Sequence, residues 1–452
     1  MPTSSSPKPA ELRKRLEQAL SPAHLTLLHR VTEEASLRLL PLYLVGGFVR
    51  DLLLDRPGLD LDLVVEGDAI GLAHSLAGKY GGKVTAHTRF GTAVWILDIN
   101  AFARLNAPAA RVDMHTLDFI SARSETYKHP GALPTVRPGA LSDDLRRRDF
   151  TINTLALRLD GSHFGELHDE WNGLGDLRQG VVRVLHPGSY TDDPTRILRA
   201  IRYEQRYGFQ IASADLEMIA QAKSLLGGLS GERLRHELDL VLAEGKAAEM
   251  LARLAELDIL GEIHPALAWD DSLRPRLERL DQPEPISWRG VPDLRLVPRR
   301  VALGYLLWLG CIAVPDIESL ASRLDFSAPL RDALLSFSAL HNDLPALAGA
   351  RPSVLTARLD EVPLLAVCAL SLESVPIRES VTKSVYESVE DYLSLWRHIH
   401  PKTTGHTLQR RGLPPGPAYQ RILRRLREAW LDGEVSSAKE EEALLGQLIK
   451  KL

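Results

Sequence analysis

The glycine pair Gly46-Gly47 and the acidic residues that follow it constrain the fold of this chain more than any other feature. An apolar run precedes the glycines, a helical stretch with Arg50 follows them, and Asp60 and Asp62 then open a second apolar run. This order predicts a strand, a glycine turn, a short helix and a second strand. Because residues i and i+2 of a strand point to the same face, Asp60 and Asp62 are expected to lie side by side.

Two neighbouring carboxylates beside a glycine turn favour one kind of ligand. The carboxylates repel each other unless a cation lies between them, and their hard oxygen atoms suit Mg²⁺. The glycines let a ligand approach the backbone, and the amides at the start of the following helix attract an anion. Arg50 is placed to reach a phosphate, although an ordinary surface arginine is the alternative. The pattern predicts a metal-bound phosphate, which is the chemistry of nucleotidyl transfer.

Four segments resemble, in order, the motifs of tRNA nucleotidyltransferases and bacterial poly(A) polymerases, the class II branch of the polymerase-β superfamily. The segments are Leu44–Asp62 (the glycine pair, Arg50-Asp51 and the acid pair), Arg147–Asn153 (RRDFTIN), Asp192–Ala200 (DDPTRILRA) and Glu232–Leu238 (ERLRHEL). In the third segment Asp192 stands where the family usually has Glu. The resemblance covers about residues 40–240, roughly half of the chain.

The resemblance implies an α+β fold: a polymerase-β-like nucleotidyltransferase head with a mixed β-sheet, followed by an all-α neck, body and tail. Hydrophobic patterning agrees, because helical spacing dominates from about residue 181 onward. Strands are expected at 43–45, 61–65, 92–97, 116–120 and 151–159, a helix at 69–79, and a mobile loop at 122–142. The expected divisions are an N-terminal helical extension (1–40), the head (41–160), a neck with the base-template helix (161–265), the body (266–400) and a basic tail (401–452).

The stretch from Asp193 to Arg206 predicts a helix with a basic stripe. At about 100° per residue, Arg196, Arg199, Arg202 and Arg206 lie on one side and the apolar residues lie on the other. Like charges three residues apart repel each other, which suggests that anions neutralise the stripe. A solvated basic face is the alternative.

The resemblance also assigns roles within this helix. Asp193 and Arg196 would contact the Watson–Crick edge of the incoming CTP or ATP. A carboxylate accepts from an exocyclic amine and a guanidinium donates to ring acceptors, a combination that suits C and A but not U and G. The triphosphate would be bound by Gly47, Arg50, Arg148, Arg199 and Arg202.

The resemblance further implies that Asp60 and Asp62 are the catalytic residues and hold two Mg²⁺ ions. Asp118 lies in a strand-like run and is a third candidate metal ligand, with a solvent-facing strand carboxylate as the alternative. Asp149 is expected to hold the local geometry and not to contact the metal.

Charge points to a local site for RNA. The net charge of −4 gives no overall attraction to nucleic acid, so RNA must bind at a basic patch. The tail provides a candidate patch, in Arg410, Arg411, Arg421, Arg424, Arg425 and Arg427. The resemblance implies that the partners are the tRNA 3′ end, with CTP and ATP as substrates, and a basic patch would contact the phosphates of the RNA. A solvated helix face is the alternative.

The remaining features indicate a cytoplasmic protein. Cys311 and Cys368 lie in apolar runs and are expected to be buried free thiols, not part of a metal site. The N-terminus lacks the apolar segment of a secretory signal. The longest apolar run, residues 301–314, is too short to span a bilayer and predicts a core helix.

Several functions remain open at this level. The first is template-independent addition or repair of the CCA end of tRNA. The loop from Ser121 to Pro130 departs from the commonest pattern of CCA-adding members, so an enzyme that adds only CC or only A, or a poly(A) polymerase, is the alternative. A nonenzymatic RNA-binding protein and a nucleotidyltransferase for a small molecule or a protein are further alternatives.

Overall fold

The protein is described from a computed structural model, which defines residues 6–56, 58, 61–105, 116–126, 135–373 and 380–450. It divides into two compact units, residues 1–229 and residues 230–452. The strands are β1 (Leu42–Val45), β2 (Asp62–Val65), β3 (Lys83–His87), β4 (Thr92–Ile96), β5 (Thr116–Ser121), β6 (Arg123–Thr126), β7 (Thr135–Pro138), β8 (Ala156–Arg158), β9 (Leu167–His168), β10 (Val181–Val182) and β11 (Gln210–Ile211).

A seven-stranded mixed sheet forms the centre of the first unit, in the order β3-β4-β5-β2-β1-β8-β9. The central pair β2–β5 is parallel, and the other pairs of this sheet are antiparallel. The helices of this unit are α1 (Pro9–Ala19), α2 (Pro22–Leu37), α3 (Gly47–Leu53), α4 (Ala69–Tyr80), α5 (Ile99–Arg104), α6 (Leu141–Arg146), α7 (Gly173–Gln179), α8 (Ser189–Asp192), α9 (Thr195–Tyr207) and α10 (Ser213–Ala222).

The core of the first unit lies on both sides of the sheet. On one side, Tyr43 and Val64 pack against Leu141 and Leu145 of α6. On the other side, the alternate strand residues are fully buried near α4, as Phe119 illustrates. Helices α1 and α2 lie on this unit too: Glu34 of α2 accepts from Ser75 of α4 at 2.6 Å. The sheet is therefore covered on both faces, so a ligand can reach it only at the ends of its strands.

The described residues of the second unit form helices joined by loops, with no β-strand among them. Its helices are α11 (Gly231–Ala243), α12 (Ala247–Glu256), α13 (Ile259–Ile263), α14 (Arg274–Glu278), α15 (Arg299–Leu309), α16 (Val314–Arg323), α17 (Ala328–Leu347), α18 (Pro352–Leu359), α19 (Leu364–Leu372), α20 (Ser380–Ser394), α21 (Gly405–Arg410), α22 (Pro417–Leu431) and α23 (Ala438–Lys450). Helix α15 is buried from Val301 to Leu309, which confirms the predicted core helix. In the parts of the chain that the structure defines, we find no helix of the length and apolarity that crossing a membrane requires.

The predicted α+β class is confirmed, and two local predictions are wrong. The expected loop at 122–142 contains the hairpin β6–β7, in which Glu125 pairs with Val136. The Pro- and Gly-rich residues 127–134 that suggested a loop lie outside the described residues. The expected strand at 151–159 starts only at Ala156, because residues 151–153 form a 3-10 turn. Thr154 Oγ1 donates to the carbonyl of Thr151 at 2.7 Å, and such local bonds compete with strand pairing.

One strand and one thiol were also mispredicted. Strand β3 (Lys83–His87) was not expected, because it is a largely exposed edge strand without a clear apolar alternation. Cys368 is buried as predicted, but Cys311 is exposed, since it lies just beyond the end of α15.

Candidate active site

The centre of the sheet brings two acidic residues together. Asp62 begins β2, and its Cα partner in the parallel register is Asp118 of β5. Residues directly opposite each other on neighbouring strands have their side chains on the same face. Both positions are half-buried. Asp60, the other member of the predicted acid pair, lies outside the described residues.

The glycine turn is shaped by one residue that must be glycine. Gly46 has a φ of +69°, and a Cβ atom there would lie 2.6 Å from Nη1 of Arg148. Its amide donates to the carbonyl of Leu155 at 3.2 Å. Gly47 begins α3 and has more room, because its nearest neighbour would be Nη2 of Arg50 at 3.6 Å. The turn thus places Arg148 against the backbone that the sequence predicts to bind an anion.

Arg148 has one hydrogen-bond donor at this turn that no protein group accepts. Its Nη2 donates to Asp144 at 3.2 Å, and Asp144 is fully buried and also binds Arg147 at 2.7 Å. The Nε of Arg148 is buried without a hydrogen-bond partner. A buried donor without a partner is costly, so an acceptor at this position is favoured.

Arg50 lies inside the protein. Its side chain is only 4 % exposed, and it donates to Asp51 at 2.8 Å and to Asn153 at 2.6 Å. The guanidinium carbon lies 5.1 Å from the ring centre of Tyr203 and 4.7 Å from that of Tyr207. Arg50 therefore connects α3, the RRDFTIN segment and α9, and its donors face protein groups more than solvent.

Asp149 joins the same network from the other side. It accepts from Arg199 at 2.6 Å and from the amide group of Asn153 at 2.8 Å. Burial alone would raise the pKa of this carboxyl, but the charge of Arg199 and these hydrogen bonds outweigh burial and lower the pKa to about 2. Asp149 thus fixes local geometry, as its sequence suggested.

The two residues expected to recognise the base lie at the start of α9. Asp193 precedes the helix and accepts from the backbone amide of Thr195 at 3.1 Å and from its hydroxyl at 2.7 Å. Arg196 is buried and donates to the carbonyl of Arg147 at 2.8 Å and to the hydroxyl of Ser189. These contacts fix the orientation of both side chains, and they place Arg196 against the RRDFTIN segment.

The two remaining predicted triphosphate ligands, Arg199 and Arg202, have different surroundings. Arg199 is half-buried and is paired with Asp149. Arg202 is buried, and its guanidinium carbon lies 5.7 Å from the centre of the Tyr203 ring. Three of the four arginines of the stripe are therefore integrated into the protein, while Arg206 at its C-terminal end is exposed, as the alternative prediction of a solvated face expected for the whole stripe.

Sequence reasoning missed several members of this network, namely Asp51, Asp144, Tyr203 and Tyr207. The tyrosines lie four residues apart on α9, beside the arginines, and this spacing was an available signal. Asp51 also accepts from the hydroxyl of Tyr207 at 3.0 Å. Nothing in the sequence pairs residues 51 and 207, since such contacts depend on the tertiary fold.

In the second unit, the predicted RNA-binding arginines are of two kinds. Arg411, Arg425 and Arg427 form ion pairs, with Glu442, Glu434 and Asp360 respectively. Arg410, Arg421 and Arg424 are exposed, and among the described residues no ion pair is observed for them. Helices α21 and α22, in or next to which these arginines lie, share with α23 an apolar core formed by Leu408, Ile422, Leu426 and Leu445.

Comparison with known proteins identifies the family of the chain. Residues 42–183 match the poly A polymerase head domain, and residues 208–270 match a probable RNA and SrmB-binding site of polymerase A. An A-adding tRNA nucleotidyltransferase of Halalkalibacterium halodurans is 32% identical over 90% of this chain and 88% of its own length. An A-adding tRNA nucleotidyltransferase of Geobacter sulfurreducens is 36% identical over 89% of this chain, which spans only 44% of that relative's length.

Other relatives and solved structures agree. A CC-adding tRNA nucleotidyltransferase of Deinococcus radiodurans is 32% identical over 89% of this chain and 88% of its own length. A CCA-adding enzyme in apo form II has a TM-score of 0.78 at 28% identity, and the match covers 98% of this chain and 99% of that one. The Thermotoga maritima CCA-adding enzyme complexed with tRNA-CCA has a TM-score of 0.73 at 27% identity, covering 97% and 98%. The chain belongs to the tRNA nucleotidyltransferase and poly(A) polymerase family.

Proposed function

We propose that this protein adds nucleotides from CTP or ATP to the 3′ end of tRNA without a nucleic-acid template, and so builds or repairs the CCA end. The observation that carries the proposal is the parallel register of Asp62 and Asp118 beside the Gly46-Gly47 turn, within a matched polymerase head. In the reaction, the 3′-hydroxyl oxygen bonds to the α-phosphorus, the bond to the β-phosphate oxygen breaks, and pyrophosphate leaves. A cytoplasmic location remains part of the proposal because it rests on tRNA as the substrate.

The donor set fits a hard divalent cation. Two carboxylates occupy opposite positions on neighbouring strands, and oxygen ligands of this kind suit Mg²⁺. Asp62 and Asp118, with Asp60, would hold Mg²⁺, which lowers the pKa of a hydroxyl and neutralises phosphate charge when bound. The role of the protein is to place the hydroxyl and the triphosphate, since no side-chain nucleophile is required.

For the triphosphate, the contacts favour Arg148 and the backbone at Gly47. Arg148 has a buried Nε without a hydrogen-bond partner and lies against Gly46. Arg50 and Arg199 are bonded to protein carboxylates, so we assign them the positioning of this pocket. Arg202, buried beside Tyr203, is proposed to add positive charge near the phosphates.

For the base, we propose that Asp193 and Arg196 accept and donate as the resemblance implies. Asp193 is held by Thr195, and Arg196 is held by Ser189 and Arg147, so both side chains are oriented before a nucleotide arrives. Preorganised donors and acceptors lose little freedom on binding, which increases discrimination between bases. We also propose the domain divisions that the sequence predicted, namely a head (41–160), a neck (161–265), a body (266–400) and a tRNA-binding tail (401–452).

A narrower activity, the addition of A alone, is the second candidate. Two relatives that match about nine-tenths of this chain are named A-adding tRNA nucleotidyltransferases. A relative named CC-adding matches a similar share at 32% identity, so the names alone do not decide between the activities.

One assay tests the proposal and separates these candidates. Three tRNA transcripts, ending before CCA, after C and after CC, are incubated with the full chain, Mg²⁺ and both CTP and ATP, with the label on one of the two nucleotides in turn. A complete CCA-adding enzyme extends all three transcripts to the same product. An A-adding enzyme uses only ATP and only the transcript that ends in CC. No incorporation into any transcript, by a folded protein, would contradict the proposed function.

A further inference from the structure

A second cluster of metal-ligating side chains lies far along the sequence from the nucleotide site. Cys311 follows α15, His341 lies on α17 and Glu373 follows α19, all within the second unit. One potential ligand atom from each residue lies within 4.8 Å of the other two. Three helical segments therefore bring a thiol, an imidazole and a carboxylate to one point.

The ligand atoms are close to the spacing that a metal ion imposes. Nε2 of His341 lies 3.1 Å from Oε2 of Glu373, and Sγ of Cys311 lies 4.0 Å from Oε1 of Glu373. In a tetrahedral zinc site with bonds of about 2.0–2.3 Å, neighbouring ligand atoms are roughly 3.3–3.7 Å apart. Small side-chain adjustments would bring the three atoms to these separations.

Two buried atoms at the cluster lack a hydrogen bond. Glu373 is fully buried, and neither its Oε2 nor Nε2 of His341 has a hydrogen-bond partner. The two atoms face each other as an ion pair without hydrogen-bond geometry. Burial of unsatisfied polar groups is costly, and a cation between them would satisfy both.

Arg276 holds the other oxygen of the same carboxylate. Its Nη1 donates to Oε1 of Glu373 at 2.7 Å and leaves Oε2 directed toward His341. Carboxylates that bind metals are commonly held by such an outer hydrogen bond, which fixes the orientation of the ligand. Nη1 of Arg276 also lies 4.0 Å from Sγ of Cys311, which is itself 4.0 Å from the Oε1 that Arg276 binds. Arg276 therefore orients Glu373 and leaves Oε2 for a cation shared with His341.

We propose that Cys311, His341 and Glu373 form a binding site for a Zn²⁺-like divalent cation that ties together three helical segments of the second unit. Thiolate and imidazole ligands select zinc over magnesium. Cys311 is exposed, so a water molecule can complete the tetrahedron from the solvent side. The site does not depend on the proposed nucleotidyl transfer.

Metal binding at this cluster should depend on pH. A metal binds the thiolate and the neutral imidazole, so it must displace the thiol proton of Cys311 and any proton on His341. Affinity should consequently fall as the pH is lowered.

The test uses Co²⁺ as a spectroscopic probe of the full chain after chelator treatment. We expect one Co²⁺ per chain with a thiolate-to-cobalt charge-transfer band, and loss of the band when Zn²⁺ is added. Cobalt at the carboxylates of the first unit would give no such band, because the ligands there are oxygen atoms. The Cys311→Ser variant should lose the band and bind at least about 100-fold more weakly, and His341→Gln should also weaken binding.

Cys368→Ala is the matched control, since it removes the other, buried thiol of the chain and should keep the band. Circular dichroism of each variant verifies folding. Absence of the band in the wild-type protein would overturn the proposal, as would an unchanged band in a folded Cys311→Ser variant. Either result would leave the cluster as an ion pair only.

Discussion

Helix α9 and the C-terminal tail both carry stripes of arginine, but the two stripes have different surroundings. On α9, Arg196 and Arg202 are buried, and Arg199 is bound by Asp149. In the tail, Arg410, Arg421 and Arg424 are exposed. The first stripe is therefore part of a packed network within its unit, and the second offers charge to the solvent.

The comparison shows what a basic stripe can and cannot indicate. Four neighbouring arginines on α9 predicted bound anions, and the protein supplies one such anion itself, in Asp149. This partner is 50 residues away in the sequence and is brought close only by the fold. In the tail, three of the six arginines form ion pairs with acidic residues such as Glu434, but these pairs lie at the surface, with the side chains of Arg425 and Glu434 36% and 40% exposed. The arginines without such a pair are the first candidates for an external phosphate.

The largest expected effect concerns the chemistry of the first unit. Asp62→Asn should reduce nucleotide incorporation by at least about 10³-fold, because removal of a metal ligand takes away several kcal/mol of transition-state stabilisation. Single-turnover incorporation on a tRNA transcript measures this, with circular dichroism as the folding control. Asp118→Asn is the companion variant, and a similar loss would assign both in-register residues to the metal. Near-normal turnover of Asp62→Asn in Mg²⁺ would remove it from that role.

The next effect tests whether the arginines of α9 are stabilised by protein groups, above all by the ion pair of Arg199 with Asp149. Asp149→Asn should lower the free energy of unfolding by about 2 kcal/mol, which corresponds to the shift of the pKa from its ordinary value of about 3.9. Because the folded-state pKa is lowered, this contribution is fully present above about pH 4. It is lost as the pH falls toward about 2, so wild type and variant should converge there.

Urea unfolding of both proteins across this pH range measures the difference. Asp55→Asn is the control, because Asp55 pairs with Arg15 at the surface with its side chain 81% exposed. An exposed pair of this kind is expected to contribute about 0–1 kcal/mol. If the two variants lost equal stability, the pair of Asp149 and Arg199 would stabilise the protein no more than an exposed ion pair does.

A smaller effect separates recognition of the base from the hydrogen bonds that Asp193 makes to Thr195 at the start of α9. Asp193→Ala should lose both the hydrogen bonds to Thr195 at the start of α9, which contribute about 1 kcal/mol, and about thirtyfold of the discrimination against UTP and GTP. Asp193→Ser keeps an acceptor for Thr195 but is too short to replace the carboxylate at a base. Both variants should misincorporate, while only the Ala variant loses stability. Unchanged selectivity among the four nucleotides in both variants would place base recognition elsewhere.

Much of the fold followed from local patterns, and much of the site did not. The strand–turn–helix–strand order around Gly46 was predictable, because the glycine pair and the apolar runs are contiguous in sequence. The burial of Arg50 was not, since its partner Asn153 and the rings of Tyr203 and Tyr207 are more than 100 residues away. The cluster at Cys311 was not predictable for the same reason, because its neighbours His341 and Glu373 come from separate helical segments.

The most direct test of the comparison measures tRNA affinity against salt concentration for two triple variants. One variant replaces the exposed set by Gln (Arg410, Arg421 and Arg424), and the other replaces the paired set (Arg411, Arg425 and Arg427). Both remove three positive charges, so any long-range effect of net charge is matched. Circular dichroism confirms that each variant is folded.

The exposed-set variant should bind tRNA more weakly, and its slope of log affinity against log salt should shrink by about 0.7–0.9 for each phosphate that the protein no longer neutralises. The paired-set variant should keep a slope closer to that of the wild type, because Glu442, Glu434 and Asp360 compete with phosphate for its arginines. Equal slopes in the two variants would contradict the distinction between internally paired arginines and arginines available to RNA.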